Sequence, residues 1–176
     1  VLQELLESSF SWNRPSAIRY PNLPTQAEGD QPFVNREMGK GEILIKGHGV
    51  LLIALGHMNG VAKKAMELLA ERGIFPTLLD PVFIKPLDEE LLIQLLKEHS
   101  QIVTLEEHSV ISGLGASVRY FLSRTGVSGV DLLNLGIPDR FVEHGAYLDV
   151  LSDVGLTPDK VAASILHWCQ SLAGAL

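Results

Sequence analysis

The most constraining feature of this sequence is an alternation that begins near residue 42. Short, fully apolar runs take turns with longer stretches whose apolar residues recur every three or four positions. Residues 50–55 (VLLIAL) are the clearest run, and Gly56 ends it. Such a run has no polar face, so it reads as a strand covered on both sides rather than one side of an exposed sheet. The next stretch carries Val61, Ala65, Leu68 and Leu69 on one helical face and stops at Gly73. Residues 75–79 form a second buried strand. Asp88 then stands where an N-cap belongs, with Glu89 and Glu90 at the positive helix end and Leu87 placed to staple onto Leu92. Leu91, Leu92, Leu95 and Leu96 make the inward stripe of that helix.

The cycle repeats. Residues 101–105 and 130–135 read as strands, and Leu114, Val118, Phe121 and Leu122 mark the helix between them. A last helix opens at Thr157-Pro158, a cap followed by proline at the first helical position, with Val161, Ile165, Trp168 and Leu172 as its stripe. This spacing predicts an α/β fold: a mostly parallel five-stranded sheet with helices on both faces, joined by right-handed crossovers. The strand over residues 42–46 lies three residues before the next, which predicts an antiparallel hairpin at one end of the sheet.

The first 41 residues differ. Leu2, Leu5 and Leu6 give residues 1–10 a helical side, and residues 17–20 (AIRY) read as one strand stopped by Pro21. Residues 21–41, rich in Pro, Gly, Asn, Gln and acids, read as a linker. One helix and one strand cannot bury a core between them. With no initiator Met, the expectation is that the chain starts inside an upstream domain.

Composition narrows the class of partner. The 176 residues carry 14 Lys and Arg against 21 Asp and Glu, a net charge of −7 with no clustered cations, which argues against nucleic acid. The longest apolar run is far short of the roughly 20 residues that span a bilayer. A single Cys169 excludes a disulfide framework and a Cys-based zinc site, and it reads as a packing residue beside Trp168. A soluble, cytoplasmic globular protein is the expectation.

In open α/β sheets, ligands sit beyond the carboxyl ends of the strands. Four loops qualify: residues 56–60, 80–83, 106–109 and 136–140. Glu106-Glu107-His108, followed by Gly113-Leu-Gly115, has the residue types for acid/base chemistry or metal binding. Neighbours on an extended segment point opposite ways, however, so these three do not converge on one ion. The simpler reading has one glutamate accepting from the N–H groups of the next helix while the glycines let that helix approach. Gly-Leu-Gly lacks the third glycine and the ribose-binding acid of a dinucleotide motif. Arg19, beside a rigid proline, is the best candidate for a phosphate contact, since a guanidinium offers two parallel N–H groups. An ion pair with an acidic neighbour is its ordinary alternative, and the residues alone favour it. His48, His57, His99, His144 and His167 lack partners at ligand spacing and read as surface or interfacial residues, with His144 the first to inspect. No serine sits in a nucleophile elbow.

Five strings together resemble the C-terminal region of the 1-deoxy-D-xylulose 5-phosphate synthases, a transketolase-like family. They are Ala17-Ile-Arg-Tyr-Pro21, Gly39-Lys-Gly41, Phe83-Ile-Lys-Pro-Leu-Asp88, Glu106-Glu-His-Ser-Val-Ile-Ser-Gly-Leu-Gly115 and Leu135-Gly-Ile-Pro-Asp-Arg-Phe-Val-Glu-His-Gly145. The resemblance implies a three-domain, homodimeric enzyme using thiamine diphosphate and Mg²⁺. Such an enzyme condenses pyruvate with glyceraldehyde 3-phosphate, losing carbon dioxide, for isoprenoid, thiamine and pyridoxal synthesis. It implies that residues 1–25 are the tail of a pyrimidine-binding middle domain, 26–41 a linker and 42–176 the transketolase-like C-terminal domain. The diphosphate-binding Gly-Asp-Gly motif and the activating glutamate of the family lie upstream, and Gly29-Asp30-Gln31 does not match. This stretch is therefore expected to be inactive alone and to bind no cofactor. It would supply architecture, dimer contacts and part of the phosphate site. Arg19 matches the family's phosphate-contacting arginine. A second family arginine falls on Val82, and the one after Arg-Tyr-Pro on Asn22, leaving Arg14 or Arg36 as substitutes. A transketolase, the β-subunit of a 2-oxo acid dehydrogenase and a non-catalytic α/β interaction module are the other readings.

Overall fold

The structure, a computed structural model, describes residues 1–21 and 33–174. Strands β1 (Glu42–Ile45), β2 (Gly49–Ala54), β3 (Thr77–Asp80), β4 (His99–Ser109) and β5 (Asp131–Ile137) form one sheet in the order β1-β3-β2-β4-β5. β2 pairs in parallel with β3 and β4, β4 in parallel with β5, and β1 alone runs antiparallel. This is the predicted α/β sheet. Helices α1 (Leu2–Ser9), α2 (Met58–Ala70), α3 (Glu89–Leu95), α4 (Leu114–Thr125), α5 (Tyr147–Asp153) and α6 (Pro158–Ala173) complete the described elements.

Alternation along the central strands builds two cores. Val50, Leu52 and Ala54 of β2 point to one face with Leu78, Val103 and Leu105, and there meet Met58, Ala62, Ala65 and Leu69 of α2 and Val161 and Ile165 of α6. Leu51 and Ile53 point to the other face with Leu79 and Ile102, and meet Leu92 of α3 and Leu114, Val118 and Phe121 of α4. Every residue from Val50 to Ala54 is buried, as a strand covered on both faces requires. Burying a side chain of this size contributes about 1.5–3 kcal/mol, so the central strands anchor the fold.

The predicted hairpin does not form. β1 pairs with β3, which lies between β1 and β2. The connection must cross two strand spacings, roughly 10 Å, and the four steps from Ile45 to Gly49 reach about 13 Å. Gly47 makes the crossing: a Cβ there would stand 2.2 Å from the Phe75 carbonyl oxygen. Three smaller expectations also change. Leu68 is 39% exposed, because the α2 stripe centres on Met58, Ala62, Ala65 and Leu69. Residues 17–20 form no strand, since no sheet edge among the described residues runs beside them. α5 was not anticipated from the sequence: it is two turns long and Ala146 provides no side-chain cap.

Asp88 caps α3 as expected, accepting from Leu91 N at 3.1 Å, and it also accepts from Gly41 N at 3.1 Å. The N-terminal segment is tied down by Arg36. Its guanidinium pairs with Glu4 of α1 at 2.8 Å and Glu42 of β1 at 2.7 Å. Its amide donates to Ser8 Oγ, and its carbonyl accepts from Trp12 Nε1. Leu2 and Leu6 of α1, and Phe10 at its C-terminal cap, nevertheless remain exposed. Of the linker and site residues read from the sequence, Asn22 and Gly29-Asp30-Gln31 lie outside the described residues.

Candidate functional site

The loops singled out from the sequence gather at the carboxyl edge of the sheet, and adjacent glutamates of β4 divide its two faces. Glu106 is fully buried and accepts from Leu114 N at 2.6 Å and Gly115 N at 2.8 Å, so its carboxylate caps α4. A Cβ on Gly113 would fall 1.8 Å from Glu106 Oε2, and one on Gly115 would fall 2.5 Å from Asn134 Cγ. Both glycines therefore allow helix and strand to close on each other, as the simpler reading of this string expects. A negative charge against unpaired N–H groups also suits the positive helix end.

Glu107 points the other way. Its Oε2 accepts from Tyr147 Oη at 2.8 Å and makes a short contact with His57 Nε2; Tyr147 Oη also lies 3.3 Å from His57 Nε2. The imidazole and carboxylate side chains are 32% and 28% exposed, so the group faces solvent without being loose in it. Burial, reinforced by the Glu107 carboxylate, pushes the Tyr147 phenol well above its ordinary range, so it stays a proton donor. The carbonyl of Glu107 accepts from Arg19 Nη2 at 3.4 Å, a long bond. Four separate stretches of chain thus meet at one residue: β4, the β2–α2 loop, the start of α5 and the segment around Arg19.

Arg19 is exposed and has no carboxylate partner among the described residues, so the ion pair its residue type suggested is not present there. Arg36 is committed to Glu4 and Glu42, and Arg14 is exposed. Val82 sits in left-handed backbone at φ 56°, an uncommon place for a β-branched residue. Its N–H donates to Asp80 Oδ1 at 2.9 Å. Burial raises the Asp80 carboxyl above its usual range despite that bond.

Of the histidines, His57 joins the Glu107 group and His144 is exposed. His99 corrects the surface reading. It is buried, with Nε2 2.8 Å from Thr77 Oγ1 and Nδ1 2.9 Å from the Leu95 carbonyl, so it joins β3 to the end of α3. Cys169 packs against the core beside Trp168, and burial raises its thiol. His57 and Tyr147 are the site residues that the sequence reading missed. They lie 50 and 40 residues from Glu107: the pairing of β2 with β4 brings in His57, and the pairing of β5 with β4 brings in Tyr147 on the helix that follows β5.

No described group of three His, Cys, Asp or Glu side chains is arranged to hold a metal ion. Glu106, whose carboxylate is fully buried, is already satisfied by two N–H groups. Among the described residues, no set of side chains fits a diphosphate-bound divalent cation. No described helix is long and apolar enough to cross a membrane.

Known proteins share this architecture. A 1-deoxy-D-xylulose-5-phosphate synthase of Chlamydia muridarum is 48% identical over 167 residues, 94% of this chain and 26% of that protein. One from Chlamydia trachomatis serovar L2 is 44% identical over 169 residues, with the same coverage. The chain thus spans about a quarter of the length of the curated relatives it matches. Among solved structures, a split-gene transketolase described as an inactive β4 tetramer superposes with a TM-score of 0.69 at 34% identity. The match covers 80% of this chain and 44% of that one. The Campylobacter jejuni transketolase gives 0.55 at 18% identity over 73% of this chain and 18% of its own, a likeness of fold. The sequence model described as "Transketolase, C-terminal domain" matches residues 39–161, and the chain belongs to that family.

Proposed function

We propose that this chain is the C-terminal part of a 1-deoxy-D-xylulose-5-phosphate synthase, in which Arg19 grips the phosphate of glyceraldehyde 3-phosphate. The observation that carries the reading is the state of that guanidinium. It stands at the carboxyl edge of the sheet, tethered through one N–H to the Glu107 carbonyl. No carboxylate among the described residues neutralises it. An exposed arginine with unused, parallel donors is suited to a phosphate. The names of the relatives that match 94% of the chain support the same reaction.

In the whole enzyme, thiamine diphosphate with Mg²⁺ supplies the carbon nucleophile that joins pyruvate to the aldehyde. The residues of this chain do not form that site, and no bond-making step is assigned to them. Their work is to bind and orient. Glu106 fixes α4, and Arg36 holds α1 and β1 together. Arg19 brings one positive charge to the aldehyde's far end. Residues 1–25 belong, in this reading, to the middle domain, which agrees with the uncovered Leu2, Leu6 and Phe10. Residues 42–176 are the third domain of a cytoplasmic homodimer.

A product assay tests the proposal. The full-length protein, given pyruvate, glyceraldehyde 3-phosphate, thiamine diphosphate and Mg²⁺, should form 1-deoxyxylulose 5-phosphate. Ketol transfer between sugar phosphates without that product would make it a transketolase instead. The present chain alone should neither turn over pyruvate nor bind the cofactor; tight binding by calorimetry would refute this division of labour.

A further inference from the structure

We propose that Glu107, held by His57 and Tyr147, is a positioning residue for Arg19, so that these three side chains help set the enzyme's preference for a phosphorylated aldehyde. The inference rests on the reading of Arg19 given above. It starts from a gap in the sheet. The β2 ladder ends at Ala54 opposite Leu105, with a last bond from Leu55 N to the Leu105 carbonyl. On the other side, β4 and β5 pair regularly to Leu105 opposite Leu135, then not again until Ser109 opposite Ile137. Residues 106–108 therefore leave the regular ladder, yet the Glu107 carbonyl is the group that meets Arg19.

Side chains replace the missing ladder. Glu106 pins the strand end from one face through the α4 amides, and Glu107 pins it from the other through Tyr147 and His57. With both anchors in place, the peptide between Glu107 and His108 has a fixed plane, and its oxygen has a fixed direction. Arg19 is exposed and its stem is long, so this oxygen, 3.4 Å from Nη2, is the contact among the described residues that restricts where the guanidinium points. The anchor contributes little to global stability, because part-exposed pairs of this kind are screened by solvent. A geometric role fits its position better, since misplacing a substrate-gripping group is costly even when the fold survives.

The test uses the full-length enzyme and the ratio of kcat/KM for glyceraldehyde 3-phosphate to that for unphosphorylated glyceraldehyde. Tyr147→Phe keeps the ring and removes the donor; Glu107→Gln weakens the acceptor. Each should lower the ratio by about tenfold, the scale of one weakened charged hydrogen bond. Combined with Arg19→Ala, neither should lower it further. His57→Gln, which keeps an N–H donor, should retain a ratio that His57→Ala loses. If Arg19→Ala lowers the ratio but Tyr147→Phe and Glu107→Gln stay within about twofold of wild type, the positioning role is overturned and the phosphate role of Arg19 stands. Equal losses with and without Arg19 also overturn it. If Arg19→Ala leaves the ratio unchanged, both readings fall.

Discussion

Replacing Glu106 by Gln tests how the carboxyl edge of the sheet is built. The side chain is fully buried and accepts two backbone N–H groups, at 2.6 and 2.8 Å. Gln has the same shape but only one oxygen. One amide of α4 keeps an acceptor, while the other meets the NH₂ of Gln, a donor facing a donor in a dry site. The loss of one charge-assisted bond, together with the desolvation cost of the stranded amide, comes to about 2–4 kcal/mol. Whole domains are stable by roughly 5–15 kcal/mol, so the change is large. In urea unfolding followed by far-UV circular dichroism, the midpoint should fall by about 1–2 M with little change in slope. Gly113→Ala provides a cross-check, because its Cβ would lie 1.8 Å from the same oxygen. It should cost a comparable amount, and the double variant should lose less than the sum. A loss for Glu106→Gln below about 0.5 kcal/mol, the level of an ordinary surface change, would refute the capping argument.

Asp88→Ala removes the α3 cap and the acceptor for Gly41 N together; thermal unfolding should show a loss of about 1–2 kcal/mol, and no loss would dissociate the cap from stability. Burial raises the folded-state pKa of Asp80, so its stabilising contribution is present below the ordinary carboxylate range and lost as pH rises through the folded value. Asp80→Asn, which keeps an acceptor for Val82 N–H, should therefore melt higher than wild type at neutral pH, the gap closing in acid. A gap of opposite sign would contradict the burial argument. Tyr147 should ionise above the ordinary tyrosine range in an ultraviolet pH titration read as the difference between wild type and Tyr147→Phe. Stability should also be lost as pH rises past the normal tyrosine range, because the unfolded phenol ionises first. Ionisation of Tyr147 within the ordinary range would show that the Glu107 contact does not persist in solution.

The parts of this structure legible in the sequence are those fixed by local burial. The unbroken apolar run of β2, the Asp88 cap and the Thr157-Pro158 helix start each state their environment within a few residues. Pairing is a non-local property, which explains the misread hairpin: nothing between Lys46 and His48 reveals that β3 will insert beside β1. The surface-facing Leu68 shows the same limit, since a helical stripe read from periodicity can be rotated by the partners it finds, here α6 and β4. The site divides in the same way. Glu106 was readable because Gly113 and Gly115 follow it at the distance its carboxylate needs. The Glu107 group was not, because His57 and Tyr147 are joined to it only by strand order. Arg19 stood out as an arginine beside a rigid proline, and the family pattern then matched it to a phosphate contact, while its lack of a carboxylate partner among the described residues became visible only in three dimensions.

The central claim is that this chain contributes a phosphate grip to a larger carbon–carbon bond-forming enzyme. Steady-state kinetics of Arg19→Ala in the full-length protein tests it most directly. Loss of a charged hydrogen bond of about 1.5–3 kcal/mol predicts that KM for glyceraldehyde 3-phosphate rises by roughly 10- to 150-fold, while KM for pyruvate stays within about twofold of wild type. Equal increases for both substrates would contradict the account.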